Sequence, residues 1–257
     1  MQVYSQSVVG VRLRTLTALL FLAAVLWLIT IIWTRDMSVM PGTMGMGLGV
    51  FVVMWSVTMA AMMLPSVAPL ATLYVRTLQS RRYRRIALFV AGYIVVWSLT
   101  GVPAFLLAWV AGHIAVEYPG WATGAAVVIF AVSGLYQLTP LKHRCLRHCR
   151  TPLGHVMHYA SFTGKTREMR AGMHHGLFCL GCCWGLMLLM VAFGVMNLLA
   201  MVALAGVIAL EKQWRHGAEV AKATGALSLA LAVAVIFVPE LEPGLTGTVM
   251  EAMTMSS

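Results

Sequence analysis

The chain has 257 residues, of which 60% are hydrophobic and only 10% are Asp, Glu, Lys or Arg, and its mean hydropathy is +0.86. So apolar a composition excludes a soluble globular domain and points to an all-α, polytopic membrane protein. A net charge of +10 would also suit nucleic acid, but the basic residues lie in short loops beside apolar runs, where their ordinary role is to orient a protein in a lipid bilayer.

At about 20 apolar residues per crossing, seven spans are predicted, near 13–33, 48–73, 86–110, 121–138, 173–193, 197–210 and 218–238. Arg12 and Arg14 precede the first, and Thr34-Arg35-Asp36 follows it where a cleavage site would need small residues. It therefore reads as a signal anchor, not a cleaved leader. The sixth span is short, and only Gly194-Val195-Met196-Asn197 separates it from the fifth. The two form either a tight hairpin or one bent helix, which would lower the count to six. With the N-terminus inside and the C-terminus outside, 17 of the 18 Lys and Arg fall on the inner side, Arg35 being the exception, while Asp36, Glu117, Glu240, Glu242 and Glu251 fall outside. Merging spans five and six would move Lys212, Arg215 and Lys222 outward, so the asymmetry favours seven. The loop 139–172 is too short for an independent core and suits an amphipathic segment or a folded flap. Residues 1–238 thus read as one transmembrane domain, and 239–257 as an acidic tail.

The chemistry concentrates in Gly172-Met173-His174-His175-Gly176-Leu177-Phe178-Cys179-Leu180-Gly181-Cys182-Cys183-Trp184. On a helix, His175, Cys179 and Cys183 share one row, with Cys182 beside it. The other two cysteines, Cys145 and Cys149, stand four apart in the preceding basic loop with His148, where a fold-back would bring them to Cys179 and Cys183. All five cysteines lie on the inner side, where thiols stay reduced, so metal binding or catalytic redox is expected before structural disulfides. Thiols and imidazoles in this number supply ligands for tetrahedral zinc or low-coordinate copper(I). His155, His158 and His216 read as interfacial polar residues.

Methionine is the second signal. Eight of the 19 fall between Met37 and Met63: Met37, Met40, Met44 and Met46 in the outer loop, then Met54, Met59, Met62 and Met63 in span two. Thioethers favour copper(I) over zinc, and Met59-x-x-x-Met63 places two of them one turn apart. Pro65 follows and should kink the helix. Thioethers outside and mid-membrane with thiols inside form a gradient suited to a soft cation, although methionine also serves simply as membrane filler. Among the remaining polar residues, Asn197 is expected to cap span six, and Glu211 with Lys212 to form a snorkelled pair or support a ligand histidine. His113 and Glu117 read as a solvated pair, and Trp109, Trp121, Trp184 and Trp214 as interface anchors.

Met59-Ala60-Ala61-Met62-Met63-Leu64-Pro65, Gly92-Tyr93, Tyr136-Gln137-Leu138-Thr139-Pro140-Leu141-Lys142 with Cys145 and Cys149, Gly181-Cys182-Cys183-Trp184, and Gly194-Val195-Met196-Asn197 with Glu211-Lys212 together resemble a bacterial family of predicted metal-binding integral membrane proteins, a domain of unknown function. The resemblance runs from about residue 45 to residue 217. It implies a helical protein of the cell inner membrane that binds metal, with Met59, Met62, Met63, Cys145, Cys149, Cys179, Cys182 and Cys183 on the matching positions, and it supplies no reaction.

The reading that follows is a transition-metal protein, foremost for copper(I) and alternatively for zinc, acting in transport or as a membrane chaperone. Its metal residues are Cys179, Cys182, Cys183, Cys145, Cys149, His175, His174, His148, Met59, Met62 and Met63. Its partners are the bilayer, the ion and a metal-delivery or metalloenzyme protein, with an oligomer as an option. Neither a phosphate-binding glycine loop nor a phosphorylatable Asp motif is present, so pumping would need another protein or an ion gradient, and no catalytic residue is assigned. Two other readings use the same residues. A membrane thiol oxidoreductase would pair Cys179 with Cys182 and Cys145 with Cys149, passing electrons to a quinone. A structural subunit would use a thiol-metal cluster only to staple the 139–172 loop.

Overall fold

The computed structural model describes residues 2–35, 42–78 and 82–238. The acidic tail at 239–257, Met37 and Met40 of the outer loop, and Asp36 and Arg81 lie outside the described residues. The described chain forms ten helices and no strand: α1 (Gln2–Arg35), α2 (Leu48–Thr77), α3 (Arg82–Leu99), α4 (Gly101–Glu117), α5 (Pro119–Leu138), α6 (Pro140–Arg150), α7 (Pro152–Ala160), α8 (Arg167–Phe193), α9 (Leu198–Gln213) and α10 (Gly217–Phe237). It is an all-α polytopic bundle, because a backbone in lipid must satisfy its hydrogen bonds within each segment.

Six segments among the described residues are long and apolar enough to cross a membrane: Gly10–Arg35, Leu48–Thr77, Arg82–Glu117, Gly120–Leu138, Arg167–Phe193 and Gly217–Phe237. The third is α3 and α4 in succession, broken at Thr100. There the Thr100 hydroxyl donates to Trp97 O at 2.6 Å and accepts the Trp55 indole at 3.0 Å, and Pro103 cannot donate to the preceding turn. α9, at 16 residues, is shorter than these. Gly194 ends α8 with φ of 95°, a left-handed value that suits glycine, and the Asn197 side chain then accepts the Ala200 N–H at 3.1 Å as the N-cap of α9. The short 194–197 stretch is therefore a turn between two helices.

α8 is the centre of the bundle, packed against α3, α5, α6 and α9, while α1 lies along α2 and α10 along α5. Lipid tails give apolar helices no reason to associate, so close backbone approach decides the contacts. Gly172 and Gly176 form a small-x-x-x-small pair facing α3: a Cβ on Gly172 would run into Phe89 O, and one on Gly176 would come within 3.0 Å of Val96. At the start of α8, Glu168 accepts from Arg85 of α3 at 2.5 Å and from Arg167 at 2.8 Å. The 139–172 loop is indeed a folded flap, built from α6 and α7. Tyr159 anchors α7, buried beside Tyr74 of α2 and Phe89 of α3 at ring-centre distances of 6.4 and 6.2 Å.

Pro65 and Pro69 lie inside α2. Each removes an N–H, so the carbonyls four residues earlier lose their helical donors. Pro65 O, freed by Pro69, takes the Gln213 amide at 3.4 Å from the end of α9. The turn of α2 between its two prolines thus meets α9 close to the methionine row.

Candidate metal centre

The site is assembled by α6. Thr139, extended, caps it by accepting the Lys142 N–H at 3.2 Å, and Pro140 occupies its first turn. The sequence Thr-Pro is therefore a helix start that turns the chain back under the bundle. Leu146 and Lys142 face inward, and Lys142 is fully buried. Its ammonium donates to Cys182 O and pairs with Glu211 of α9 at 2.6 Å, and Glu211 also accepts from Gln137 of α5 at 2.9 Å. This one network ties four helices together. Leaving one member of such a pair alone costs several kcal/mol, roughly 3–5.

With α6 held there, Cys149 Sγ lies 3.8 Å from Cys182 Sγ, and Cys182 Sγ lies 3.3 Å from Cys183 Sγ while donating to Cys179 O at 3.1 Å. Cys145 rests over Gly181, where a Cβ would sit 2.9 Å from its sulfur. The loop does fold back onto α8, but its cysteines arrive at Cys182 and Gly181 and not at the expected Cys179 and Cys183. All five cysteines are free thiols. Two thiolates on one tetrahedral ion with bonds of about 2.3 Å are separated by about 3.8 Å, so the Cys149–Cys182 spacing fits a shared ion. Among the described residues, no group of three or more His, Cys, Asp or Glu stands as a ready-made metal sphere. The thiols are gathered, and closing a sphere takes side-chain rotation.

Cys179 is held differently. Lys212 Nζ donates to its sulfur at 2.9 Å, and the Tyr93 hydroxyl lies 2.9 Å away. An ammonium has no acceptor capacity, so the sulfur is the acceptor and a buried cation sits directly against it. Lys212 also donates to Ser66 Oγ at 3.3 Å, and Tyr93 reaches Met63 O at 3.5 Å. Met59, Met62 and Met63 of α2 are buried, and of the three it is Met63 that Tyr93 links to the thiol stripe, through its backbone carbonyl. Glu211 and Lys212 do not pair with each other as expected: adjacent helical residues point apart, so Glu211 turns to Lys142 and Lys212 to Cys179, and neither supports a histidine.

Residues 52–235 match the family described as PpoB2, copper chaperone. The chain belongs to the PpoB2 copper chaperone family. No curated protein and no solved structure matches it. Membership replaces the unspecified metal of the sequence resemblance with copper, and the apolar helices make this a copper-related membrane protein.

In this family member the histidines form a second cluster at the same end. His175 is 4% exposed, its ring centre 5.9 Å from Tyr93 and 6.4 Å from Phe89. His148 stacks on Phe178 at 3.6 Å and lies tilted against His155 at a ring-centre distance of 3.3 Å, and His174 meets the Tyr159 hydroxyl at 3.3 Å. Burial, and then the neighbouring imidazoles of His155, His175, His174 and His158, push His148 down to about 3. Burial lowers His155 as well, and on α6 it raises the Cys145 thiol against the opposing effect of Lys142. His155 packs into the cluster beside His148, whereas His158 stays exposed at its edge, as an interfacial residue would, 5.5 Å from His174. His113 and Glu117 do form an exposed pair, at 3.1 Å, and Trp184 is half-buried against Tyr136 at 4.5 Å. Sequence reasoning missed Lys212, Tyr93 and Ser66 around Cys179, and the buried Lys142–Glu211–Gln137 network beside Cys182. The signal available was their polarity inside lipid-length helices, which marks a residue as paired or functional.

Proposed function

We propose that this protein is a membrane copper chaperone that holds copper(I) on the thiolates of Cys149, Cys179, Cys182 and Cys183, with Cys145 beside them, and hands it to a partner protein. The observation that carries the reading is the meeting of Cys149 with Cys182 at 3.8 Å, inside a bundle whose family is defined by copper. Soft thiolates select copper(I) over harder ions. Copper(I) on two thiolates carries one net negative charge, and Lys212, the cation on Cys179, balances it. The ion is cargo, and it moves by exchange between sites of low coordination, so no ATP site is required. Met59, Met62 and Met63 supply thioethers towards the outer side. Seven crossings, with α9 as the short sixth, place the N-terminus, α6 and α7 on the inner side of the cell inner membrane.

The test is copper content after anaerobic purification in detergent. The wild type is expected to retain about one copper per chain, and the Cys179→Ser, Cys182→Ser, Cys183→Ser variant to retain none bound through sulfur. Equal sulfur-bound copper in both would refute the reading. Met59→Leu with Met63→Leu then separates a conduit from a staple: the pair is expected to keep the inner copper and lose its transfer from the outer side. Thiol oxidation by a quinone, the competing chemistry for Cys149 and Cys182, would instead appear as a reversible disulfide in metal-free protein.

A further inference from the structure

Two buried ring nitrogens at this end of the bundle have no hydrogen-bond partner: His148 Nε2 and His175 Nδ1. Buried polar atoms are nearly always paired, and each exception calls for a cause. The two rings are neighbours, with centres 6.4 Å apart. A nitrogen binds a borderline or soft metal at about 2.0–2.1 Å and lies roughly 1.2 Å from its ring centre, so two imidazoles on opposite sides of one ion have centres about 6.4 Å apart, closing to about 5.2 Å at a tetrahedral angle. The His148–His175 distance meets the opposed limit. A linear two-nitrogen site is a copper(I) geometry, because zinc and calcium require four or more ligands.

Position gives the pair a role. His175 stands one turn before Cys179 on α8, and His148 adjoins Cys149 on α6, so the pair flanks the thiol cluster from the side of the α6–α7 flap. Beyond it, His174 is 5.8 Å from His148, and the exposed His158 is 5.5 Å from His174. Both separations fall within the range in which two imidazoles share an ion. The series His158, His174, His148–His175 runs from the surface to the thiols without a carboxylate in it.

We propose that His148 and His175 form a second, two-coordinate copper(I) site between the thiolate cluster and the flap surface, through which the ion leaves or reaches the cysteines. The binding site stands on its own geometry, and its role in transfer rests on the thiolates being the holding site. Each step exchanges one neutral imidazole for another or for a thiolate at unchanged copper(I), so no oxidant or reductant takes part.

The experiment uses the full chain in detergent, anaerobically, with copper(I) alone as the probe. A variant with all five cysteines changed to Ser is expected to bind one copper(I) with nitrogen-only, two-coordinate X-ray absorption. That binding should disappear on adding His148→Gln or His175→Gln and survive His216→Gln. No copper in the five-Ser chain, or copper that survives both histidine changes, overturns the site. Because the five-Ser chain is heavily altered, the wild-type thiols are kept for a second measurement. His148→Gln and His175→Gln should retain sulfur-bound copper yet release it to a water-soluble copper(I) chelator at least tenfold more slowly. Unchanged release overturns the transfer role. Loss of sulfur-bound copper in the wild type with the nitrogen-bound ion intact would refute the thiolate reading and leave the histidine site standing.

Discussion

Replacing Lys212 with Met is the most informative perturbation of the thiol cluster. The substitution keeps an unbranched chain in a buried position and removes one positive charge 2.9 Å from Cys179 Sγ. At an effective dielectric of about 20, two unit charges at that separation interact by roughly 6 kcal/mol, a gross figure that desolvation of both groups offsets. Leaving one member of a buried pair uncompensated costs about 3–5 kcal/mol. In the variant, the negative charge of copper(I) on two thiolates loses its buried cation, so copper(I) affinity should fall by about two to three and a half orders of magnitude at about 1.4 kcal/mol per decade. Zinc on two thiolates is neutral and should lose much less, so the preference for copper over zinc should shrink in parallel. The assay is competition with a calibrated chromophoric copper(I) chelator under nitrogen, with zinc titrated separately and tryptophan fluorescence melting as the control for folding. Lys212→Arg should recover part of the loss. A Met variant that folds normally and binds copper(I) within threefold of the wild type would refute the charge-balance argument, because geometry alone would then account for the selectivity.

Three further outcomes follow from the packing. Lys142→Met, which leaves Glu211 buried without its cation, should destabilise the bundle by about 3–5 kcal/mol in denaturation, while the double change with Glu211→Leu should recover most of it, since well-packed apolar replacements of a buried pair are near neutral. Gly172→Ala, whose Cβ would strike Phe89 O, should lower stability by at least about 1–3 kcal/mol, whereas Gly206→Ala, with open space around it, should be neutral or stabilising by about 0.5–1 kcal/mol; thermal melting of the two decides. His148, held near 3 when folded against an ordinary 6.5, binds fewer protons folded than unfolded below about pH 6.5, so its neutral burial contributes stability that is lost as pH falls from there towards 3. The melting temperature of the wild type should therefore decline over that window more steeply than that of His148→Phe, and parallel declines would refute the assignment.

The bundle was legible because lipid-length apolar runs and helix-ending residues are local signals. Apolar stretches marked the segments now seen as α1, α2, α5, α8 and α10, and Asn197 marked the start of α9. The flap was less legible, since α6 has 11 residues and α7 has 9, too few to be stable alone. They are held by Lys142 and Tyr159 reaching partners far away in the chain. The break at Thr100 was missed because it depends on Trp55, 45 residues away. The cysteine stripe could be read from periodicity, but its electrostatics could not. Cys179 and Lys212 are 33 residues apart, and Lys212 stands next to a glutamate that offers an obvious but wrong partner. The rule that neighbouring helical residues diverge already separates Glu211 from Lys212, and two buried charges on different faces of a short helix require two separate partners. Glu211 takes the lysine of the flap and Lys212 takes the Cys179 sulfur, so α9 both holds α6, with Cys149, in place and sets a cation against Cys179. α9, too short to count among the six segments able to cross a bilayer, thus sets both the position of the flap cysteine and the charge beside the thiols.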